Sequence, residues 1–416
     1  MSFIMLFEFL ISLTDVYIAG KVGKEIQAAY GFVIQLYFIF VVVANALTVG
    51  TVSVVSRLFA AGKGSELAEA VFSSFIAAAA AGLLTSSAGY FLAAPLVQIA
   101  SIPGELKPMA ISLVTIYAVG LFFHYLLINT NGVLRSCGRV TTSLRTMAAV
   151  CGLNIALNFI LVFHTPLSYR GIALATAISV CAGSLLNLPR IRGSLIPGIR
   201  FSFSQVRKMA LIGWPMGLLQ VLWLLASMVI FLILSALPTN QIEVLAAFTA
   251  GLRIESAIYL PAFAFNLANA VVVGNFLGER KPEDAFRAGL VTAGIGVGVV
   301  SVMAVAVIIG AGWIAPLLSD HPVVIQESVR YLYISMISEP FMAWGMILGG
   351  ALSEAGDTRS VLLRVGLSLW LIRIPLCYLA VIHLGLGQKW VWWAMNISQI
   401  IQGIWIFKRY LSKEWL

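Results

Sequence analysis

The sequence is built from apolar runs that follow one another with only short polar breaks. They cover residues 3–19, 31–55, 70–97, 109–129, a fifth run closing on GLNIALNFILVF, then 171–188, 209–236, 244–273, 285–312, 331–352, 361–383 and 390–407. A helix needs roughly 20 apolar residues to cross the hydrocarbon, and inside it every backbone N–H and C=O must be bonded within the segment. The runs therefore predict an all-α integral membrane protein with about twelve transmembrane helices. Charged residues make up 10% of the 416, against about a quarter in soluble proteins, which leaves little chain for a soluble domain. The first run is short and starts almost at Met1, so either its helix starts abruptly or part of it lies upstream.

The two halves repeat. GVLRSCGRVT, from Gly132, matches GALSEAGDTR, from Gly350, and Ala28-Ala29 matches Ala246-Ala247 at the same displacement. AAGKGSELAEA after the second run corresponds to LGERKPEDAFRA after the eighth. A shared displacement with hydropathy in phase marks a duplication. Six spans per half keep the halves in one orientation, a parallel repeat about an axis along the membrane normal. On this pattern the chain divides into an N-terminal six-helix lobe (1–188), a basic linker PRIRGSLIPGIRFSFSQVRK (189–208) and a C-terminal six-helix lobe (209–416). Most Lys and Arg fall on the linker's side, as at Arg57, Lys63, Arg139, Arg280, Arg359 and Lys408; fewer, such as Lys21, Lys107, Arg170 and Lys389, fall on the other. The positive-inside rule then places the linker and both termini in the cytoplasm of a multi-pass cell (inner) membrane protein.

That distribution also accounts for the net charge of +9: the basic residues are topology signals in short loops, not a patch for nucleic acid. Cys137, Cys151, Cys181 and Cys377 form no CxxC pair, and His124, His164, His321 and His383 form no HExxH site, so neither a disulfide framework nor a zinc site is expected. No cofactor is implied, an intramembrane enzyme has no clustered His, Asp or Ser to work with, and no GxxxxGK[ST] loop supports a primary pump. The first run carries Glu8 and Asp15 and lacks a basic start, unlike a cleavable signal peptide.

Six charged side chains remain inside the runs: Glu8, Asp15, Arg253, Glu255, Glu339 and Arg373. Asp15 lies five residues before Gly20, roughly 7 to 8 Å from the outer end of its helix. An intramembrane carboxylate is costly and marks an ion or substrate path by default; a structural acid satisfied by neighbouring hydroxyls or amides is the alternative. Asn154 and Asn158 are four apart, so both amides lie on one helix face, placed to coordinate a cation, orient a water or bond Asp15, or to act as interhelical glue. Arg253 and Glu255 are two apart and point to different faces; Glu255, with Tyr259 one turn on, is a second candidate for a cation-responsive carboxylate. Glu339 precedes Pro340, where the helix should bend, and faces either a cavity or a partner such as Arg253 or Arg373. A purely structural ion pair competes with a coupling role for each of these. Trp214, Trp223, Trp344, Trp370, Tyr37 and Phe265 are available to stack on a flat cation, while Trp390, Trp392 and Trp393 read as an interfacial belt.

TDVYIAGKVG, AAGKGSELAEA, NGVLRSCGRVTT, NIALNFILVF, VGNFLGERKPEDAFRA, SEPFMAWGMILGGALSEAGDT and WLIRIPLCYL, taken in order, resemble the multidrug and toxic compound extrusion (MATE) family over essentially the whole chain. The resemblance implies two six-helix lobes around a V-shaped cavity and export of organic cations or amphipathic compounds by H⁺ or Na⁺ antiport. It makes Asp15 the first-helix acid of a cation site, with Na⁺ as the one metal ion in prospect, and Asn154 its fifth-helix asparagine. At Asn158 some members carry an aspartate. The seventh helix, GWPMGLLQVLW, has Trp223 near the place where some members carry a glutamate. The expected partner is a small molecule in a lipid bilayer, and a monomer suffices. A flippase for lipid-linked oligosaccharides, from the wider superfamily, is the alternative; it should carry more cationic residues than Arg253 and Arg373.

Overall fold

A computed structural model describes residues 2–99, 103–192, 200–237, 239–317 and 321–416. Thirteen helices and no strand form among the described residues. They are α1 (Ser2–Val22), α2 (Lys24–Ala60), α3 (Gly64–Ile99), α4 (Lys107–Ser136), α5 (Val140–Phe163), α6 (Arg170–Arg192), α7 (Phe203–Ser235), α8 (Gln241–Gly278), α9 (Pro282–Ile314), α10 (Pro322–Ser335), α11 (Glu339–Glu354), α12 (Thr358–His383) and α13 (Gln388–Leu411). Nine are long and apolar enough to cross a bilayer by themselves. The pair α10 and α11, bent by 55°, makes a tenth as a broken span. The bend falls where Pro340 was expected to place one, since proline has no N–H to continue the ladder. At 24 residues α13 also has the length, but Asn396, Ser398 and Gln399 lower its hydropathy; α1, of 21 residues, is apolar around Glu8 and Asp15.

The duplication is visible in the helix starts. Gly64 and Pro282, Val140 and Thr358, and Arg170 and Gln388 are separated by the displacement that relates Gly132 to Gly350. The repeated motif has a physical reason. Gly138 and Gly356 follow α4 and α11 at φ 73° and 88°, in the left-handed region where a side chain would be strained. There Arg139 N–H donates to the Leu134 carbonyl at 2.8 Å and Asp357 N–H to the Leu352 carbonyl at 2.9 Å, the bonds of a Schellman cap that ends one helix and launches the next.

Residues 3–217 pack as one compact unit and 218–416 as another. In the first, α4 is central and packs against α2, α3 and α6, while α5 lies on α6. Ile18, Tyr30, Val97, Leu113, Tyr117 and Ile172 form one of its cores. In the second, α8 packs against α9, α10 and α11, and α11 against α13. Large apolar side chains such as Phe91, Val302 and Trp313 are exposed, as lipid-facing residues of a membrane protein are.

Two local expectations change. Helix α6 runs through Pro189 to Arg192 and α7 begins at Phe203, so helices occupy both ends of the expected linker. Trp392 is no belt residue: it is fully buried, stacked on Phe248 at 5.4 Å and edge-on to Tyr331 at 4.8 Å, because the helical period turns it inward. Residues 193–199 of the linker and 100–102 of the turn at IASIPGELKP lie outside the described residues.

Candidate functional site

Two buried polar clusters stand out, one inside each unit. In the first, Asp15 on α1 is 2% exposed. Asn158 Nδ2 donates to its Oδ1 at 2.7 Å, and Thr176 Oγ1 and the Tyr30 hydroxyl donate to its Oδ2 at 3.1 and 3.4 Å. The amides of Asn154 and Asn158 share one face of α5, as their spacing requires, and Asn158 Nδ2 also donates to Asn154 Oδ1 at 3.1 Å. Asn154 reaches the acid through Thr176, whose hydroxyl accepts from Asn154 Nδ2 at 3.1 Å while donating to the carboxylate. Four helices, α1, α2, α5 and α6, thus converge on one carboxylate, and all its hydrogen-bond donors are neutral.

Asn158 Oδ1 is buried and has no hydrogen-bond partner among the described residues. A carboxylate with a neighbouring unpaired amide oxygen in an apolar setting has two ways to be satisfied. It takes up a proton, or it shares a hard monovalent cation with the surrounding oxygens.

The second cluster is made of charged groups. Glu255 on α8, 8% exposed, accepts from the Tyr331 hydroxyl at 2.7 Å. Gly251, one turn earlier, makes this possible, since a Cβ there would strike the Tyr331 ring. Arg373 on α12, 6% exposed, donates through Nε to Ser398 Oγ at 2.7 Å and through a terminal nitrogen to Gln399 Oε1 at 3.2 Å. Gln399 in turn donates to Glu339 Oε1 at 3.4 Å, while Glu339 Oε2 is buried without a hydrogen-bond partner among the described residues. Arg373 closes a π-helical stretch, Ser368–Arg373, two residues before Pro375. Glu255, Tyr259, Arg373, Asn396 and Gln399 line a cavity of about 30 Å³, room for a small ion or water and too small for a drug-sized molecule.

The structure therefore brings Asp15, Asn154 and Asn158 together, and separately Glu255, Tyr259, Glu339 and Arg373. Arg253 is exposed and takes no part, so the partner weighed for Glu339 is Arg373, reached through Gln399. Of the aromatics weighed for stacking, Trp223 lines the same cavity and Tyr37 lies in the first unit's interior. Sequence reasoning missed Thr176, Tyr30, Tyr331, Ser398 and Gln399. The only signal was their polarity in apolar runs, and Thr176 also bonds its own Ile172 carbonyl, as helical threonines commonly do.

The MatE family model matches residues 1–160 and 215–379. The chain belongs to the MatE family. The matched stretches hold Asp15, Asn154 and Asn158 in one and Glu255, Glu339 and Arg373 in the other. Among family relatives, the chain is 22% identical to an uncharacterized transporter, YisQ, of Bacillus subtilis over 97% of its own length and 90% of that protein's. It is 26% identical to a probable multidrug resistance protein, NorM, of Bradyrhizobium diazoefficiens, over 93% and 86%. The fold matches a MOP superfamily transporter from Pyrococcus furiosus with TM-score 0.91 and 20% identity, covering 99% of this chain and 94% of that one. It also matches an outward-facing multidrug resistance MATE family transporter with TM-score 0.92 and 21% identity, covering 100% and 94%.

Proposed function

We propose that the protein exports organic cations or other amphipathic compounds by antiport with H⁺ or Na⁺, its two six-helix units alternating access across the cell membrane with the termini in the cytoplasm. The observation that carries this reading is the Asp15 cluster: a buried carboxylate met only by neutral donors, with the unpaired Asn158 Oδ1 in the same cluster. Such a group changes charge when its access to cations changes, and a charge that appears and disappears couples one movement to another. Asn154 and Asn158 hold the site's geometry through Thr176 and the carboxylate. The multidrug resistance names of relatives support the substrate class. The Glu255–Glu339–Arg373 cluster carries its own guanidinium, which supports a structural role or a secondary coupling role.

A flippase reading is weaker, because Arg253 is outside the cluster and Arg373 is engaged by Ser398 and Gln399. The test is transport of a fluorescent cationic dye by purified protein in liposomes under an imposed pH gradient, a Na⁺ gradient, or neither. Transport that follows one of the gradients is expected. Dye movement indifferent to both, or translocation of a lipid-linked sugar in its place, would overturn the proposal.

A further inference from the structure

A charged residue inside a membrane span faces the bundle interior or a water-filled space, because hydrocarbon cannot solvate it. Arg253 on α8 does not face the interior: it is exposed, and its guanidinium has no hydrogen bond or ion pair among the described residues. It lies twelve residues into α8 from Gln241, roughly 18 Å. The duplication gives a second measure of depth. At the displacement that relates Gly132 to Gly350, the counterpart of Arg253 is Gln35 on α2, five residues inward of Tyr30, the partner of Asp15. That level is roughly 7 to 8 Å deeper than Asp15, itself about as far from the outer end of α1, and so falls near the middle of a roughly 30 Å hydrocarbon layer. An arginine there is too far from either surface to snorkel out of lipid.

The surface around Arg253 is unlike a lipid face. Between residues 246 and 257 the exposed residues of α8 are Ala246, Thr249, Arg253, Ser256 and Ala257, one side of the helix with no large apolar side chain on it. The Thr249 and Ser256 hydroxyls donate within the helix, to the carbonyls of Leu245 at 2.8 Å and Arg253 at 2.6 Å, which leaves the guanidinium as the group in need of an outside partner. On α9, packed against α8, the exposed side is built from Val291, Ile295, Val302, Val305 and Ile309. Gln35 repeats the α8 pattern in the first unit: it too is exposed, with no side-chain partner among the described residues. Two helices related by the duplication thus present an unsatisfied polar side chain at the same depth, which a water-filled path accommodates and lipid does not.

We propose that Arg253 lines the transport path and binds the anionic group, a carboxylate or sulfonate, of an amphipathic substrate. This rests on the reading of the protein as an exporter and narrows its substrate class. A guanidinium offers a carboxylate two parallel N–H donors, and the contact is charge-assisted. The same charge repels an organic cation that carries no acid, so zwitterions and amphipathic anions are favoured over simple cations. One guanidinium suits a single acid group; the pyrophosphate of a lipid-linked sugar would call for more. Glu255, two residues on, does not neutralise Arg253, because it is buried on a different face and bonded to Tyr331. Gln35 holds the matching place with a neutral amide, so the preference for an acid belongs to the second unit.

The test uses the full chain in liposomes and two fluorescent dyes with one cationic ring system, a rhodamine acid bearing a free carboxylate and its ethyl ester. The parent is expected to favour the acid. Arg253→Gln, which installs the first unit's residue, should raise KM for the acid about ten-fold or more and lower it for the ester, while Arg253→Lys keeps most of the preference. Water access is read separately, with a charged, membrane-impermeant thiosulfonate. Arg253→Cys and Gln35→Cys should react above the background of the parent's own cysteines, and Val302→Cys, on the apolar side of α9, should not. An unchanged acid-to-ester ratio in Arg253→Gln would overturn the proposal, as would an Arg253→Cys variant no more reactive than Val302→Cys. If neither dye follows a pH or Na⁺ gradient, the export reading fails instead, and the thiosulfonate result still decides whether residue 253 faces water.

Discussion

The two units share a frame of helices and bury charge in opposite ways. In the first, one carboxylate is held by neutral donors from three other helices. In the second, two carboxylates and a guanidinium are linked through Gln399, Ser398 and Tyr331. At the displacement that relates Gly132 to Gly350, Glu255 stands where the first unit has Tyr37, Ser335 where it has Tyr117, Gly251 where it has Val33 and Tyr331 where it has Leu113. The backbone departs at the same levels. Helix α4 is continuous over 30 residues, but its counterpart breaks into α10 and α11 at Pro340, where α4 has Phe122. Likewise α5 is α-helical throughout, but α12 has π-helical stretches on both sides of Pro375, where α5 has Leu157. Each proline removes an amide donor, and the ladder shifts register or bends to compensate. Duplication kept the helix ends; a few core substitutions gave one interior an uncompensated acid and the other an acid pair with its own countercharge.

That contrast is most exposed to Asp15→Asn set against Glu255→Gln in the liposome assay. Asp15→Asn should lower gradient-driven transport by roughly two orders of magnitude, as loss of a proton-transfer group does. An equal loss from Glu255→Gln alone would erase the distinction between the units. Next in size is Arg373→Met, which leaves two buried carboxylates without a countercharge and should cost about 3 to 5 kcal/mol, read as a lower melting temperature in detergent. Adding Glu339→Gln should recover part of it. Gly251→Val drives a side chain into the Tyr331 ring and should destabilise by about 1 to 3 kcal/mol. Pairing it with Tyr331→Leu, the combination the first unit uses at Val33 and Leu113, should restore most of that stability. Thr176→Val removes the hydroxyl between Asn154 and Asp15 and should weaken coupling-cation binding by about 1 kcal/mol, roughly five-fold in affinity. The smallest effect is expected from Arg409→Ala, which frees Asp357 and Glu414 at the end of α13 and should change stability by about 1 kcal/mol or less.

The sequence by itself determined the class of fold, the duplication, the intramembrane acid and an asparagine pair on one helix face. Each rests on a local property: run length fixes a span, a four-residue step fixes a shared helix face, and a glycine at a helix end fixes a turn. Only the tertiary structure decided that Thr176 and Tyr30 complete the Asp15 cluster, that Gln399 links Glu339 to Arg373, that Trp392 lies in the core and that Tyr37 meets His124. The reason is the solvent. In a water-soluble helix the apolar stripe tells which side faces the core, but in a bilayer both the core side and the lipid side are apolar. Rotation about the helix axis is then nearly silent in the sequence, and packing alone chooses which hydroxyls, amides and rings meet.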